Sequence, residues 1–293
     1  MTHDVIVIGG SYAGMAAALQ LLRARRSVLV IDFGTRRNRF ASQSHGFLGM
    51  DGMAPGDIVR IAREQLEAYK TLTWIDDTVA DVSGETDAFT VTTCAGECHD
   101  GRRVIFGTGV TDALPEIEGL AERWGKHVFH CPYCHGYELN EGRIGVIGTG
   151  PNSVHQALLL PEWGPTTFLT NGVVPLDHDV RADLLRRGVT IEDTPITRLS
   201  GDATVELTDG TSLDFAGLFT ASVVAPSSDV AERLGCQIED TMLGRMISTD
   251  ASKETSVPGA FACGDTARVP HSVALAVGDG SWAGASVHRS LIS

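Results

Sequence analysis

The sequence predicts an α/β protein of two units, each with three layers, in which helices cover both faces of a mostly parallel sheet. Three observations predict it. Two apolar runs, Val5-Ile6-Val7-Ile8 and Ile144-Gly145-Val146-Ile147, each lead into a small-residue turn, a helical stretch and a second apolar run. In both copies the first glycine of the turn precedes the residue that closes the second strand by 23 positions, so the halves form an internal repeat in register. The length of 293 residues fits two domains at roughly 150 residues each, enough to bury a core without disulfide or metal staples.

Each element follows in order. Val5-Ile6-Val7-Ile8 is apolar at every position, which suits a parallel strand covered on both faces. Gly9-Gly10-Ser11-Tyr12-Ala13-Gly14 comes next, then an Ala- and Leu-rich helix over 15–25, then the strand Val28-Leu29-Val30-Ile31 ending at Asp32. This is a Rossmann-like βαβ unit with a dinucleotide fingerprint. Small residues let the backbone turn tightly, helix amides face a pyrophosphate, and Asp32 can accept bonds from ribose hydroxyls. Ser11 stands where the middle glycine of G-x-G-x-x-G is expected.

Short alternating strands over 89–93 and 103–106 end in Gly107-Thr108-Gly109. The second repeat has its turn at Gly148-Thr149-Gly150-Pro151-Asn152-Ser153, a helix over 154–160 and a strand over 166–170. The acid position here holds Asn171, and no Arg occurs between Asn171 and Arg181 to meet a 2′-phosphate, so this site reads as weakened for both NAD and NADP. Asn can still bond a ribose hydroxyl. Strands over 204–207 and 215–220 flank the turn Asp209-Gly210. The tail contains Cys263-Gly264-Asp265 and a final helix over about 272–291.

The net charge of −14 argues against nucleic acid and anionic membranes as partners. No apolar run approaches the roughly 18 residues of a membrane span. The residues from Met1 to Asp4 include no basic stretch, so no secretory leader is expected and the cytoplasm is the default. There, six cysteines point to catalysis, metal binding or inert packing before structural disulfides.

The sharpest local feature is His130-Cys131-Pro132-Tyr133-Cys134-His135-Gly136. A Cys-X-X-Cys pair can close a short-loop disulfide, and such motifs lower a thiol pKa to roughly 3.5–7.5. His130 and His135 could serve as base and acid near neutrality. A redox dithiol is the favoured reading. Three others compete: covalent haem on Cys-X-X-Cys-His, zinc held by Cys94, Cys98 and His99 with Cys131, Cys134 and His135, and a glutaredoxin-like domain. Haem attachment of this kind needs export, and the βαβ repeat does not suit a small thioredoxin-like domain. Cys94 and Cys98 flank a hairpin turn, Ala95-Gly96-Glu97, and read as structural; Cys236 and Cys263 read as small buried hydrophobes. His45 could approach a cofactor or simply be a loop histidine.

Together these motifs resemble the thioredoxin-reductase-like flavoproteins over nearly all of the chain: Gly9 to Gly14 with Asp32, then Gly107-Thr108-Gly109, then Cys131 and Cys134 before a second nucleotide turn, then Gly264-Asp265 before a C-terminal helix. The resemblance implies a discontinuous FAD-binding domain, 1–112 plus 252–293, and an NAD(P)H-binding-like domain, 113–251, bearing the dithiol. It implies that Gly9, Gly10, Ser11, Ala13, Gly14, Asp32 and Gly109 cradle FAD, that Asp265 beside Gly264 bonds the ribityl chain, and that Ser272 and Val273 at the last helix face the flavin edge. It also implies a homodimer, with Cys131 as the exchange cysteine and Cys134 as the flavin-facing one. Three departures stand out: His135 replaces the family's usual acid, the basic cluster for a 2′-phosphate is missing, and Pro270-His271-Ser272 replaces Arg-Gln. The Cys-Pro-Tyr-Cys-His-Gly string and the weakened nucleotide site together are more similar to the dithiol oxidases that close disulfides in small natural products such as gliotoxin and holomycin. The resemblance therefore implies FAD, leaves NAD(P)H unsupported, and suggests electron flow from a small-molecule dithiol or thiol protein to oxygen. An NAD(P)H-dependent disulfide reductase is the alternative.

Overall fold

The computed structural model describes residues 2–292; Met1 and Ser293, the outermost residues of the expected domain ranges, lie outside them. The chain divides into two compact units. The first comprises the N-terminal segment to Arg39, Gly46–Thr111 and the segment from Val224 onward; the second comprises Phe40–His45 and Asp112–Val223. The return to the first unit therefore comes at Val223/Val224, earlier than the expected boundary after Ala251. Its reason is packing: Val230, Ala231, Cys236 and Ile247 belong to the same buried cluster as Ile6, Ile8 and Leu29.

The first unit opens with β1 (Thr2–Ile8), α1 (Tyr12–Arg23) and β2 (Val28–Ile31), followed by α2 (Pro55–Glu67), β3 (Leu72–Ile75), β4 (Val79–Glu85), β5 (Ala88–Thr93), β6 (Cys98–Phe106) and β7 (Val110–Ala113). The helix α1 starts three residues earlier than the sequence pattern suggests, because the turn itself supplies its first residues. β6 also starts earlier than the expected 103, because its first half pairs with β5 in an antiparallel hairpin.

The second unit holds β8 (Val128–Phe129), α3 (Pro132–His135), β9 (Ile144–Ile147), α4 (Pro151–Leu159), β10 (Thr166–Leu169), α5 (His178–Arg186), β11 (Thr190–Glu192), the antiparallel set β12 (Ile196–Ser200), β13 (Thr204–Leu207) and β14 (Ser212–Asp214), and β15 (Gly217–Thr220). The chain returns through β16 (Val223–Pro226), α6 (Val230–Leu234), β17 (Ile238–Thr241), β18 (Gly244–Ile247), β19 (Ala260–Ala262) and α7 (Val273–Ser290).

In the first unit the strands run in the order β3-β2-β1-β6-β5-β4, with β19 pairing on the second half of β6. The strands β3, β2, β1, β6 and β19 pair with one another in parallel, whereas β5 is antiparallel to both β6 and β4. Alternate residues feed two separate cores: Val5, Val7, Val28 and Val30 join one cluster with Leu21 and Phe261, while Ile6, Ile8, Leu29 and Ile31 join another with Phe89 and Phe106. Burial on both faces is why these strands are apolar at every position. Helices α1 and α7 pack at very close range: a Cβ on Gly280 would sit 2.1 Å from the Ala13 carbonyl oxygen, and one on Gly284 2.4 Å from that of Ala17.

The second unit repeats the plan on a smaller scale. Its sheet runs β11-β10-β9-β15-β8, with every neighbouring pair parallel. Ile144, Val146, Phe168 and Phe219 line one core, and Ile147, Leu169 and Leu218 another. Among the described residues no helix is long and apolar enough to cross a membrane.

Candidate functional site

The first unit gathers its glycine-rich turns at the carboxyl ends of β1, β6 and β19. Gly9 adopts φ +99°, and its amide donates to Ile31 O at 2.9 Å. A Cβ there would meet Gly107 O at 2.4 Å, and one on Gly14 would meet Gly9 O at 1.8 Å. No side chain fits at either position, so the turn packs backbone against backbone into a tight cradle at the start of α1. Ser11 is the N-cap residue of α1, and its side chain makes no capping bond. Asp32 accepts from Gly10 N at 2.9 Å and Gly34 N at 3.0 Å. The acid thus braces the turn as well as facing it; a carboxylate keeps further lone pairs for a ribose hydroxyl.

Gly264 joins the same place, since a Cβ on it would lie 2.5 Å from Ala13 Cβ. Asp265 Oδ2 accepts from Arg37 at 3.2 Å, whereas Asp265 Oδ1 is buried with no hydrogen-bond partner among the described residues. Such an orphaned buried acceptor normally costs on the order of 1–3 kcal/mol, which a hydroxyl donor would relieve. The same Arg37 nitrogen lies 2.8 Å from His271 Nδ1. Ser272 caps α7 by accepting from Leu275 N at 3.2 Å, and Val273 is the helix's first residue. Gly109 adopts φ +69° with open space where a Cβ would point. The cradle, the orphaned acid and the capped helix fit an FAD molecule: the residues Gly9 to Gly14 and Asp32 suit its ADP half, and Asp265 suits the ribityl hydroxyls.

The dithiol lies in the second unit. Cys131 ends the extended segment after β8 and precedes α3, with Pro132 at the first helical position, where its missing N–H is not needed. One helical turn brings the sulfurs of Cys131 and Cys134 to 2.8 Å, a short movement from the roughly 2.05 Å of a disulfide. Both are partly exposed. Tyr133 and Tyr137 are strongly exposed beside them, and Tyr133 meets the Trp163 ring edge-on at 5.3 Å.

The His135 ring stacks on Phe129, with centroids 4.3 Å apart and planes 18° apart. Burial, and secondarily the neighbouring His45 ring, lower its pKa to about 4. His45 Nε2 lies 3.4 Å from Glu138 Oε1, so the loop histidine joins the dithiol segment through a carboxylate that sequence reasoning passed over. His130 packs near Trp124 at 6.0 Å, and its carbonyl accepts from Gln156 Nε2 at 2.8 Å.

In the second nucleotide turn Thr149 is engaged internally through both its amide and its hydroxyl. Thr149 N donates to Ser153 Oγ at 2.9 Å, and Thr149 Oγ1 donates to Ala221 O at 3.0 Å. Pro151 opens α4 and has no N–H to offer. Asn171 Oδ1, in the acid's place, accepts from Ile196 N at 2.8 Å.

The remaining cysteines divide. Cys236 and Cys263 are buried as expected, and burial, with the nearby Asp279, pushes the Cys263 thiol up to about 12. Cys94 and Cys98 are exposed at the β5–β6 hairpin, where they support no core. Among the described residues no group of three or more His, Cys, Asp or Glu side chains is arranged to hold a metal ion. Arg37, Glu138, Lys253 and Asp279 were not singled out by the sequence. Only Asp279 left a signal there, as the lone acid in the apolar C-terminal helix.

Comparison with known proteins agrees with this architecture. A family model described as pyridine nucleotide-disulphide oxidoreductase matches residues 3–280. A protein called thioredoxin reductase sirT from Leptosphaeria maculans is 32% identical, covering 97% of this chain and 93% of its own length. The crystal structure of an oxidoreductase from Agrobacterium tumefaciens superposes with a TM-score of 0.98 at 54% identity, covering 100% of this chain and 99% of its own. That of HlmI superposes with a TM-score of 0.92 at 38% identity, covering 99% of this chain and 93% of its own. The chain belongs to the pyridine nucleotide-disulphide oxidoreductase family, with a thioredoxin-reductase-like fold.

Proposed function

We propose that this protein is a dithiol oxidase that closes a disulfide in a small-molecule dithiol, using Cys131 and Cys134, FAD and oxygen. Family membership implies flavin binding. The observation that carries the finer reading is the contrast between the two nucleotide turns. The first has the acid Asp32 in the ribose position and lies in the unit whose Gly264-Asp265 turn carries an orphaned acceptor; the second has Asn171 in that position, with its oxygen engaged by Ile196 N and its Thr149 amide engaged by Ser153. A pyridine nucleotide would have to displace those bonds and would find no N–H at Pro151.

In this reading a substrate thiolate attacks Cys131 Sγ of the oxidised pair, the S–S bond breaks, and Cys134 leaves as thiolate. The substrate's second thiolate attacks the substrate sulfur bonded to Cys131, forms the product disulfide and expels Cys131. Two electrons have then passed from substrate to enzyme. His135, with its pKa lowered to about 4, is too weak a base near neutrality to hold a released proton and at most relays one; His130 is the second candidate. FAD, when bound, supplies the two-electron sink that reoxidises the dithiol and delivers electrons to oxygen, giving peroxide. A homodimer in the cytoplasm completes the reading, by resemblance and by default.

The second reading is an NAD(P)H-driven disulfide reductase, favoured by the similarity to the thioredoxin reductase from Leptosphaeria maculans. The test is an anaerobic titration with NADPH and NADH beside an aerobic oxygen-uptake assay with dithiothreitol. The oxidase leaves the flavin band nearly unbleached by either nucleotide and consumes oxygen over many turnovers. Prompt stoichiometric bleaching selects the reductase.

A further inference from the structure

Asp279 takes no part in the chemistry above, yet its side chain is only 9% exposed in the middle of α7. It is the one acid in a helix of Ala, Gly, Val and Ser around it. Its Oδ1 lies 2.8 Å from Nζ of Lys253, itself 14% exposed. Its Oδ2 accepts the Gly264 amide at 2.8 Å. Lys253 Nζ also donates to Ala267 O at 3.4 Å, and Arg268 approaches Asp279 at 3.9 Å while donating to Leu275 O at 3.2 Å.

A buried ion pair is seldom the most stable choice; apolar residues of like volume often serve as well or better. What this pair does that apolar residues cannot is grip a turn at both ends. Asp279 holds the amide of Gly264 where the turn begins, and Lys253 holds the carbonyl of Ala267 where it closes. Between them lies Asp265, with its orphaned Oδ1.

We propose that Lys253 and Asp279 form a clamp that fixes the Gly264-Asp265 turn and thereby aims the Asp265 carboxylate at the ribityl hydroxyls of FAD. Both are positioning residues, and Asp279 acts through the Gly264 amide. The proposal rests on the reading that the first unit binds FAD.

Two variants of the full-length protein separate the clamp from mere packing. Asp279→Asn removes the ion pair but keeps an oxygen for the Gly264 amide and leaves Lys253 on the Ala267 carbonyl. Lys253→Met with Asp279→Leu removes both grips. The FAD dissociation constant is read by flavin fluorescence, and the thermal midpoint of the cofactor-free proteins reports folding. The asparagine form is expected to bind FAD within threefold of wild type, and the leucine form at least tenfold more weakly. If the leucine form does not fold, Asp279→Ala replaces it in the same pairing.

Wild-type affinity in the leucine or alanine form overturns the clamp, as does a tenfold loss in the asparagine form. A wild-type chain that takes up no FAD overturns the underlying reading and the clamp with it, which distinguishes that failure from the other two.

Discussion

At neutral pH the ring of His135 is uncharged, and that state can be tested directly. Burial against Phe129, with a smaller contribution from His45, places its pKa at about 4 in place of 6.5. At pH 7 roughly one ring in a thousand then carries a proton, against about one in four for an unperturbed histidine. The difference also makes a stability statement. The unfolded chain binds this proton below about pH 6.5, the folded chain only below about pH 4. Between those values the unfolded state holds more protons, so stability falls as pH falls. The ceiling of this contribution is ~3 kcal/mol, and partial exposure of the ring reduces it. The assay is an NMR titration of ring-labelled histidine, with His135→Gln supplying the assignment, beside urea midpoints at pH 7 and 4.5. The wild type is expected to lose more stability than the variant over that interval. A His135 signal that titrates near 6.5, or parallel pH curves for the two proteins, refutes the reasoning.

Three further outcomes are expected. Cys134→Ser should retain FAD, visible as the flavin absorption band, and lose dithiol oxidation by several orders of magnitude; full activity in that variant removes the dithiol from the mechanism. Gly14→Ala should destabilise the first unit by about 3 kcal/mol, because the added methyl falls 1.8 Å from Gly9 O and neither backbone can retreat; unchanged thermal melting and FAD content would contradict the cradle geometry. Asp265→Ala should weaken FAD binding about tenfold or more, measured by fluorescence titration, since it deletes the unsatisfied acceptor.

The sequence by itself determined the two βαβ units, because their strands are buried on both faces and their turns admit almost no side chain. Val5 to Ile8 and Ile144 to Ile147 are apolar throughout for that reason, and Gly9 and Gly14 are glycine because neighbouring backbone occupies the Cβ position. The dithiol was equally legible, since three residues of spacing and one helical turn suffice to bring its sulfurs together. That Asn171 stands in the acid's place of the second turn was visible there too.

Only the tertiary structure decided which polar groups are already engaged. Asn171 binds Ile196 N, Arg37 meets Asp265 across 228 residues, His45 reaches Glu138, and Lys253 pairs with Asp279. None of these pairings has a local period or a fixed spacing. Each exists because separate segments end at the same sheet edge or pack on the same helix, and burial then obliges their polar atoms to find one another. The same cause moved the return between units to Val223/Val224: burial of Val230, Ala231 and Cys236 in the first core is a property of packing, which no composition shift along the chain announces.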